Sequence, residues 1–204
     1  MSNFLAVDTS SRYLTVAAQK DGKTSLTHIP ECAMQHSVIL MDEIDKVLSA
    51  LNLKPAECDF FAAVTGPGSF TGIRIGISAI KGFALAAGKP VKAVTAFDLL
   101  SYNIKSKKHF VVIDAAHAHY YVCGYAEGKV VLEPCYLSAA EVEELDGDKF
   151  GFEDLPVSNY TKIDVKNCLL PAAINAEFTE KLHALYVRKS QAEENRNAAE
   201  RVEV

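Results

Sequence analysis

The stretch Ala62-Ala63-Val64-Thr65-Gly66-Pro67-Gly68-Ser69-Phe70-Thr71-Gly72-Ile73-Arg74-Ile75-Gly76 passes from an apolar run through a glycine-rich turn into an apolar helix. This order predicts strand, loop and helix in immediate succession. Glycine reaches positive φ without a steric penalty and proline fixes its own φ, so Gly66-Pro67-Gly68 forces a sharp turn. Thr71 is then the expected N-cap of a helix starting near Gly72, and Gly88, with Pro90 behind it, is the expected stop. A helix of about four turns fits between them.

On a helical wheel Ile73, Ile77, Ile80 and Ala84 share one side, while Ile75, Ala79, Gly82 and Ala86 share nearly the opposite one. Arg74, Ser78 and Lys81 make a narrow polar stripe between them. A helix resting on its own sheet buries one face only. The second face, built of small residues that permit close approach, predicts packing against another helix, from this chain or another.

The loop does not spell out a known phosphate cradle. A P-loop requires Lys after its last glycine, a dinucleotide fingerprint requires glycine or alanine where Thr71 stands, and Pro67 lacks an N–H to offer a phosphate. The helix N-terminus could receive an anion, but a tight strand-to-helix connection accounts for the loop without one. The hydrolase elbow Gly-x-Ser-x-Gly also fails, because Pro67 and Thr71 flank Ser69 where glycines are required.

With 204 residues, 49% hydrophobic and 23% charged, the chain can bury a substantial core as one large or two small domains. A net charge of -5 and a pI near 5.7 provide no global basic field, so a nucleic-acid partner would be gripped with the help of another protein. The five cysteines are odd in number and widely spaced, without a Cys-x-x-Cys pair, which argues against a disulfide framework and for a reducing, cytoplasmic setting. No unbroken apolar run approaches membrane-spanning length, so no membrane association is expected.

Residues 4–19 read as a hairpin, Phe4-Leu5-Ala6-Val7-Asp8, a polar turn at Thr9-Ser10-Ser11-Arg12, then Tyr13 to Ala18. Residues 110–129 repeat this pattern without a gap: Phe110 falls under Phe4, Asp114 under Asp8, Val122 under Val16 and Gly128 under Gly22. The match predicts an internal duplication of a hairpin-based unit. It divides the chain into an N-terminal lobe, 1–100, and a smaller C-terminal lobe, 101–204, that ends in a charged tail.

Residues 33–52 form the clearest amphipathic helix, with Leu40, Met41, Ile44, Val47, Leu48 and Leu51 on one face and Asp42, Glu43, Asp45 and Lys46 on the other. Val38 and Ile39 lie off its main stripe and offer apolar surface away from the sheet. Further expectations are a strand at 91–94, a short helix at 96–100, a capping box between Ser138 and Glu141, and a helix from Leu169 to Leu185. Residues 146–166 show no sustained period. Strands alternating with helices around a repeated hairpin predict a mixed α/β sheet with helices packed on it.

The run Gly66 to Gly76 closely resembles the signature of the bacterial TsaB (YeaZ) family. Ala6-Val7-Asp8-Thr9-Ser10, Gln35-His36-Ser37 and Leu185-Tyr186-Val187-Arg188-Lys189-Ser190-Gln191-Ala192-Glu193 support it. The resemblance implies an α/β actin-like ATPase (ASKHA, ribonuclease H-like) fold of two duplicated lobes, the second one reduced. It further implies a role in threonylcarbamoylation of the adenosine beside the anticodon in tRNAs that read codons starting with A. The implied partners are a catalytic TsaD-like paralogue, bound through the two helices described above, and a TsaE-like ATPase. A homodimer through the same helices is the alternative when the chain is alone.

In this resemblance the glycine-rich loop comprises Gly66, Pro67, Gly68, Ser69, Phe70, Thr71 and Gly72, with Arg74 beside it, and the partner interface comprises His36, Ile39, Ile75, Ala79, Gly82 and Ala86. Asp8, Thr9 and Asp114 stand where actin-like ATPases begin their phosphate loops. Thr9-Ser10 and Ala115-Ala116 follow those aspartates in place of the glycine such loops need, so capping of the hairpin turns is the expected role. The family usually continues Asp-Ala-Arg after the second aspartate, where this chain has Asp114-Ala115-Ala116.

The catalytic paralogue carries a His-x-x-x-His metal pair, whereas His36 here is followed at i+4 by Leu40. His117 and His119 would share a strand face without an evident third ligand. The expectation is therefore a non-catalytic scaffold, with no intrinsic cofactor or metal and with ATP and metal on the partner proteins. The competing readings are a glycoprotease-like hydrolase and an actin-like nucleotide-binding sensor or chaperone.

Overall fold

The computed structural model describes residues 2–187 and holds two mixed sheets with helices on and between them. The first sheet is built from β1 (Phe4–Asp8), β2 (Leu14–Lys20), β3 (Lys23–Ile29), β4 (Phe60–Val64), β5 (Val91–Val94) and β11 (Phe178–Thr179) in the order β11-β5-β4-β1-β2-β3. The second is built from β6 (Lys108–Asp114), β7 (His119–Ala126), β8 (Lys129–Ser138), β9 (Asp148–Gly151) and β10 (Tyr160–Lys162) in the order β10-β9-β6-β7-β8. Each has an antiparallel three-strand meander followed by two parallel strands. The shared order bears out the duplication. β9 and β10 lie in the stretch that shows no periodicity.

The gapless match between the repeats does not hold in the pairing. Asp8 faces Thr15, whereas Asp114 faces Tyr120, so the second hairpin closes one residue sooner. An irregularity in the β7–β8 pairing between Val122 and Tyr125 then brings the repeats back into step, with Ala126 opposite Lys129 as Lys20 is opposite Lys23.

α1 (His36–Ala50) and α2 (Phe70–Ala87) cover one face of the first sheet, placing Leu40, Ile44, Ile73, Ile77 and Ile80 on Leu5, Val7, Leu14 and Val16. The sheet's other face, Phe4, Ala6, Phe60 and Ala62, packs on α3 (Ala96–Ser101), α5 (Leu169–Asn175) and Val111, Ile113, Cys123 and Tyr125 of the second sheet. The outer face of that second sheet is covered by α4 (Ala139–Glu143), which opens on the expected Ser138–Glu141 capping box. Five residues here do the work that 15 and 18 do on the first lobe, which is why the second lobe is the thinner one.

Three expectations need correction. The last helix stops at Asn175 because Ala176 is extended and the chain returns to pair β11 with the open edge of β5. That return also blurs the lobe boundary at 100, since α5 and β11 pack on the first sheet. In α1, Glu43 is buried beside Lys46 and Met41 is exposed, so the apolar stripe is rotated from the one read off the sequence. The charged tail from Arg188 onward lies outside the described residues.

Candidate partner-binding surface

The glycine-rich loop is built around the first hairpin turn. Ser69, rather than Thr71, caps α2: its Oγ accepts from Gly72 N at 3.2 Å, and Gly88 closes the helix with φ 64°. Ser69 N donates to Ser10 O at 2.7 Å and Thr9 Oγ1 donates to Gly72 O at 2.7 Å, tying the helix start to the β1–β2 turn. A Cβ on Gly68 would collide with Ser10 O, one on Gly72 with Thr9 O and one on Gly76 with Thr9 Oγ1. These glycines let helix and turn backbones touch. The outer side of the loop, at Gly68, Ser69, Thr71 and Gly72, lines a cavity of about 600 Å3 together with Ser10 and Ser11.

Asp8 is inside the same joint and almost wholly buried. Its carboxylate accepts from Ser10 N, Ser10 Oγ and Tyr13 Oη at 2.9, 2.6 and 2.8 Å. Burial outweighs these hydrogen bonds and raises the carboxyl above its usual range, while burial and Asp8 together push the Tyr13 phenol well up. In the second repeat Asp114 accepts from Ala116 N at 3.0 Å, the same aspartate-to-i+2 turn, but in an exposed position. Both aspartates close turns.

Between the lobes lie two adjoining cavities of about 700 and 600 Å3 that share Arg12, Asp114, Phe152 and Glu153. Glu153 accepts from Asp114 N at 3.0 Å, and burial raises its carboxyl despite the attraction of Arg12. His117 and His119 do not pair as ligands: His119 Nδ1 is 2.8 Å from His117 O, and its ring stacks on Tyr136 at 4.8 Å. Among the described residues no three His, Cys, Asp or Glu side chains converge as a metal site would require.

The outer surface of α1 and α2 is the other candidate. Ile73, Ile77, Ile80 and Ala84 are buried as expected, while Ile75 and Ala79 are half-buried and Gly82 and Ala86 exposed. A Cβ on Gly82 would meet nothing. With Met34, Val38, Met41, Phe70 and Leu85 also exposed, an apolar surface runs along both helices, and a groove of about 490 Å3 separates them between Met41 and Ala79. By length and composition α2 is apolar enough to cross a membrane, but Arg74 and Lys81 interrupt its apolar run and its inner face is packed on the sheet.

His36 belongs elsewhere: it is buried, with Nε2 2.9 Å from Tyr13 O, and presents no surface to a partner. Ile39 is half-buried against the core. Arg74, assigned to the loop, lies 3.6 Å over the Phe70 ring and donates to Tyr186 Oη at 3.0 Å. This clasp pins the returning C-terminal segment against α2. Sequence spacing had no means of showing it, because 112 positions separate its partners.

The family model described as TsaD, tRNA N6-adenosine threonylcarbamoyltransferase, matches residues 27–188. Among curated relatives, the tRNA threonylcarbamoyladenosine biosynthesis protein TsaB of Bacillus subtilis is 30% identical over 99 residues, 48% of this chain and 43% of that protein. The TsaB of Haemophilus influenzae is 33% identical over 131 residues, 62% and 55% of the two chains. The matched part thus spans about half the length of these relatives. The solved structure of YeaZ from Pseudomonas aeruginosa superposes with a TM-score of 0.74 at 22% identity, covering 91% of this chain and all of that one, and so shares its fold. The joint of glycine-rich helix and hairpin turn, the duplicated sheets and these matches agree: the chain belongs to the TsaD family, in its TsaB (YeaZ) branch.

Proposed function

We propose that this chain acts in tRNA threonylcarbamoyladenosine biosynthesis as a non-catalytic scaffold that activates a TsaD-like catalytic paralogue, together with a TsaE-like ATPase. The observation that carries this reading is the exposed apolar face of α1 and α2, lined with Ala79, Gly82 and Ala86. Small residues let a partner helix approach to about 8 Å, so matching helices of a homologous lobe would bury this face. The curated relatives' names supply the pathway.

In this reading the chain holds its partner's lobes in a working arrangement, and ATP and metal bind to the partner proteins. The modified base is the adenosine next to the anticodon of tRNAs reading codons that begin with A. The engagement of Asp8 by Ser10 and Tyr13, and of Thr9 by Gly72, leaves neither side chain available as a phosphate or metal ligand, which disfavours the nucleotide-sensor reading. The hydrolase reading has no nucleophile elbow to rest on.

The test is threonylcarbamoylation of tRNA in a mixture of the organism's TsaD-like protein, TsaE-like ATPase and threonylcarbamoyl donor, with and without this chain. Modification is expected only in the full mixture, and none from this chain alone. Equal modification without it would refute the scaffold role.

A further inference from the structure

We infer that the groove between the C-terminal half of α2 and the β11 segment is a binding site for the phosphate backbone and an unstacked base of RNA. The inference rests on the proposed function for its choice of RNA as polyanion. The groove measures about 920 Å3 and is lined by Lys81, Lys89, Lys181, His183, Leu85 and Phe178, with no residue of α1. Glu180 is its one acidic residue. Lys81 and Lys89 come from the helix and its exit, Lys181 from the returning segment, so the fold brings lysines to the groove from both sides.

The groove sets three lysines against one carboxylate. The chain carries -5 overall, and Lys20, Lys46, Lys107, Lys108 and Lys162 each pair with a carboxylate. Lys81, Lys89 and Lys181 have no such partner among the described residues. Gathered ammonium groups repel one another unless a polyanion lies between them, and a sugar-phosphate backbone presents one negative charge per nucleotide.

The apolar part of the groove selects among polyanions. Phe178 is 62% exposed, yet its ring is braced edge-on by Phe60 at 5.8 Å and by Lys92 Nζ at 4.9 Å. Lys92 is itself held by Ala173 O and Ile174 O at 3.3 and 2.8 Å, so the ring sits on a fixed support. A rigid, half-open aromatic face among cations suits a base stacked between phosphate contacts, which an acidic peptide does not supply.

Binding of a labelled tRNA transcript to the isolated full chain, followed by fluorescence anisotropy from 50 mM salt upward, tests this. The triple variant Lys81→Glu, Lys89→Glu, Lys181→Glu should bind about tenfold or more weakly, and its slope of log K against log salt should fall by about two to three. The control triple Lys23→Glu, Lys105→Glu, Lys129→Glu, which changes net charge equally at exposed sites elsewhere, should retain most of the slope. Phe178→Leu removes the aromatic ring but keeps an apolar side chain, and should lose about fivefold in affinity with the slope unchanged.

Equal losses in the two triples, undetectable binding by the unaltered chain at 50 mM salt, or an unaffected Phe178→Leu variant would overturn the assignment. So would displacement of tRNA by poly-glutamate at equal charge concentration, which would make an acidic protein the occupant. The assay needs no partner subunit. A failed reconstitution would therefore count against the scaffold role, and a failed anisotropy result against the groove.

Discussion

Gly72 and Gly76 stand one helical turn apart, and Thr9 occupies the space in front of both. Gly72→Ala would drive a methyl group into the backbone oxygen of Thr9, which cannot step aside as a flexible side chain would. We expect a loss of about 1–3 kcal/mol, seen as a lower urea midpoint with unchanged slope. Asp8 gives a second prediction. Its folded pKa is raised above 3.8, so the native state holds this proton more tightly than the unfolded chain does. That contribution is complete below 3.8 and is lost as pH rises through the raised value. The stability of the wild type relative to Asp8→Asn should therefore fall across that window and then level off; a constant difference would place the carboxyl's titration elsewhere. At this scale the sequence was informative about residue type and less so about partners. Turn-closing by Asp8 and Asp114 followed from their chemistry, whereas His36 as a surface residue did not survive, because its burial depends on Tyr13, 23 positions away.

Long amphipathic elements were readable because burial on one side imposes a period on many residues at once. α2 runs from Phe70 to Ala87 and ends at Gly88 as expected, with the N-cap moved from Thr71 to Ser69. β9, β10 and β11, with four, three and two residues, are too short to carry a period, and their pairing is set by neighbours distant in the chain. The outer face of α2 allows a test that separates fold from pairing. Gly82 is a helix-interior glycine with open space at its Cβ position, so Gly82→Ala should raise the stability of the isolated chain by about 1 kcal/mol. The same methyl group would obstruct close approach of a partner helix. The variant should then melt later and pair more weakly with the TsaD-like protein, while Ala79→Glu or Gly82→Glu should abolish pairing and leave the fold intact. Undiminished pairing by the Gly82→Glu chain in analytical ultracentrifugation would remove this face from the interface.

At the scale of the molecule, duplication was legible and the joining of the lobes was not. Two hairpins with matching aspartates reveal a repeat, but nothing in their pattern says that α5 and β11 return to the first sheet. The consequence is a core that belongs to both lobes: Phe4, Ala6 and Phe60 from one sheet share it with Val111, Ile113 and Tyr125 from the other. Tyr13 also meets Phe152 across the cleft, ring centroids 5.6 Å apart. Separating the lobes would expose this apolar surface on both, at about 25 cal/mol per Å2, so neither lobe can open far without losing its own support. Thermal unfolding should accordingly be one cooperative transition. With no tryptophan and eight tyrosines, the near-ultraviolet circular dichroism signal reports largely on tyrosines such as Tyr13 and Tyr125, which are buried in that shared core. It should fall together with the far-ultraviolet signal, with a calorimetric to van't Hoff enthalpy ratio near one. Two resolved transitions would mean that the lobes fold independently and that the boundary near residue 100 is a thermodynamic one after all.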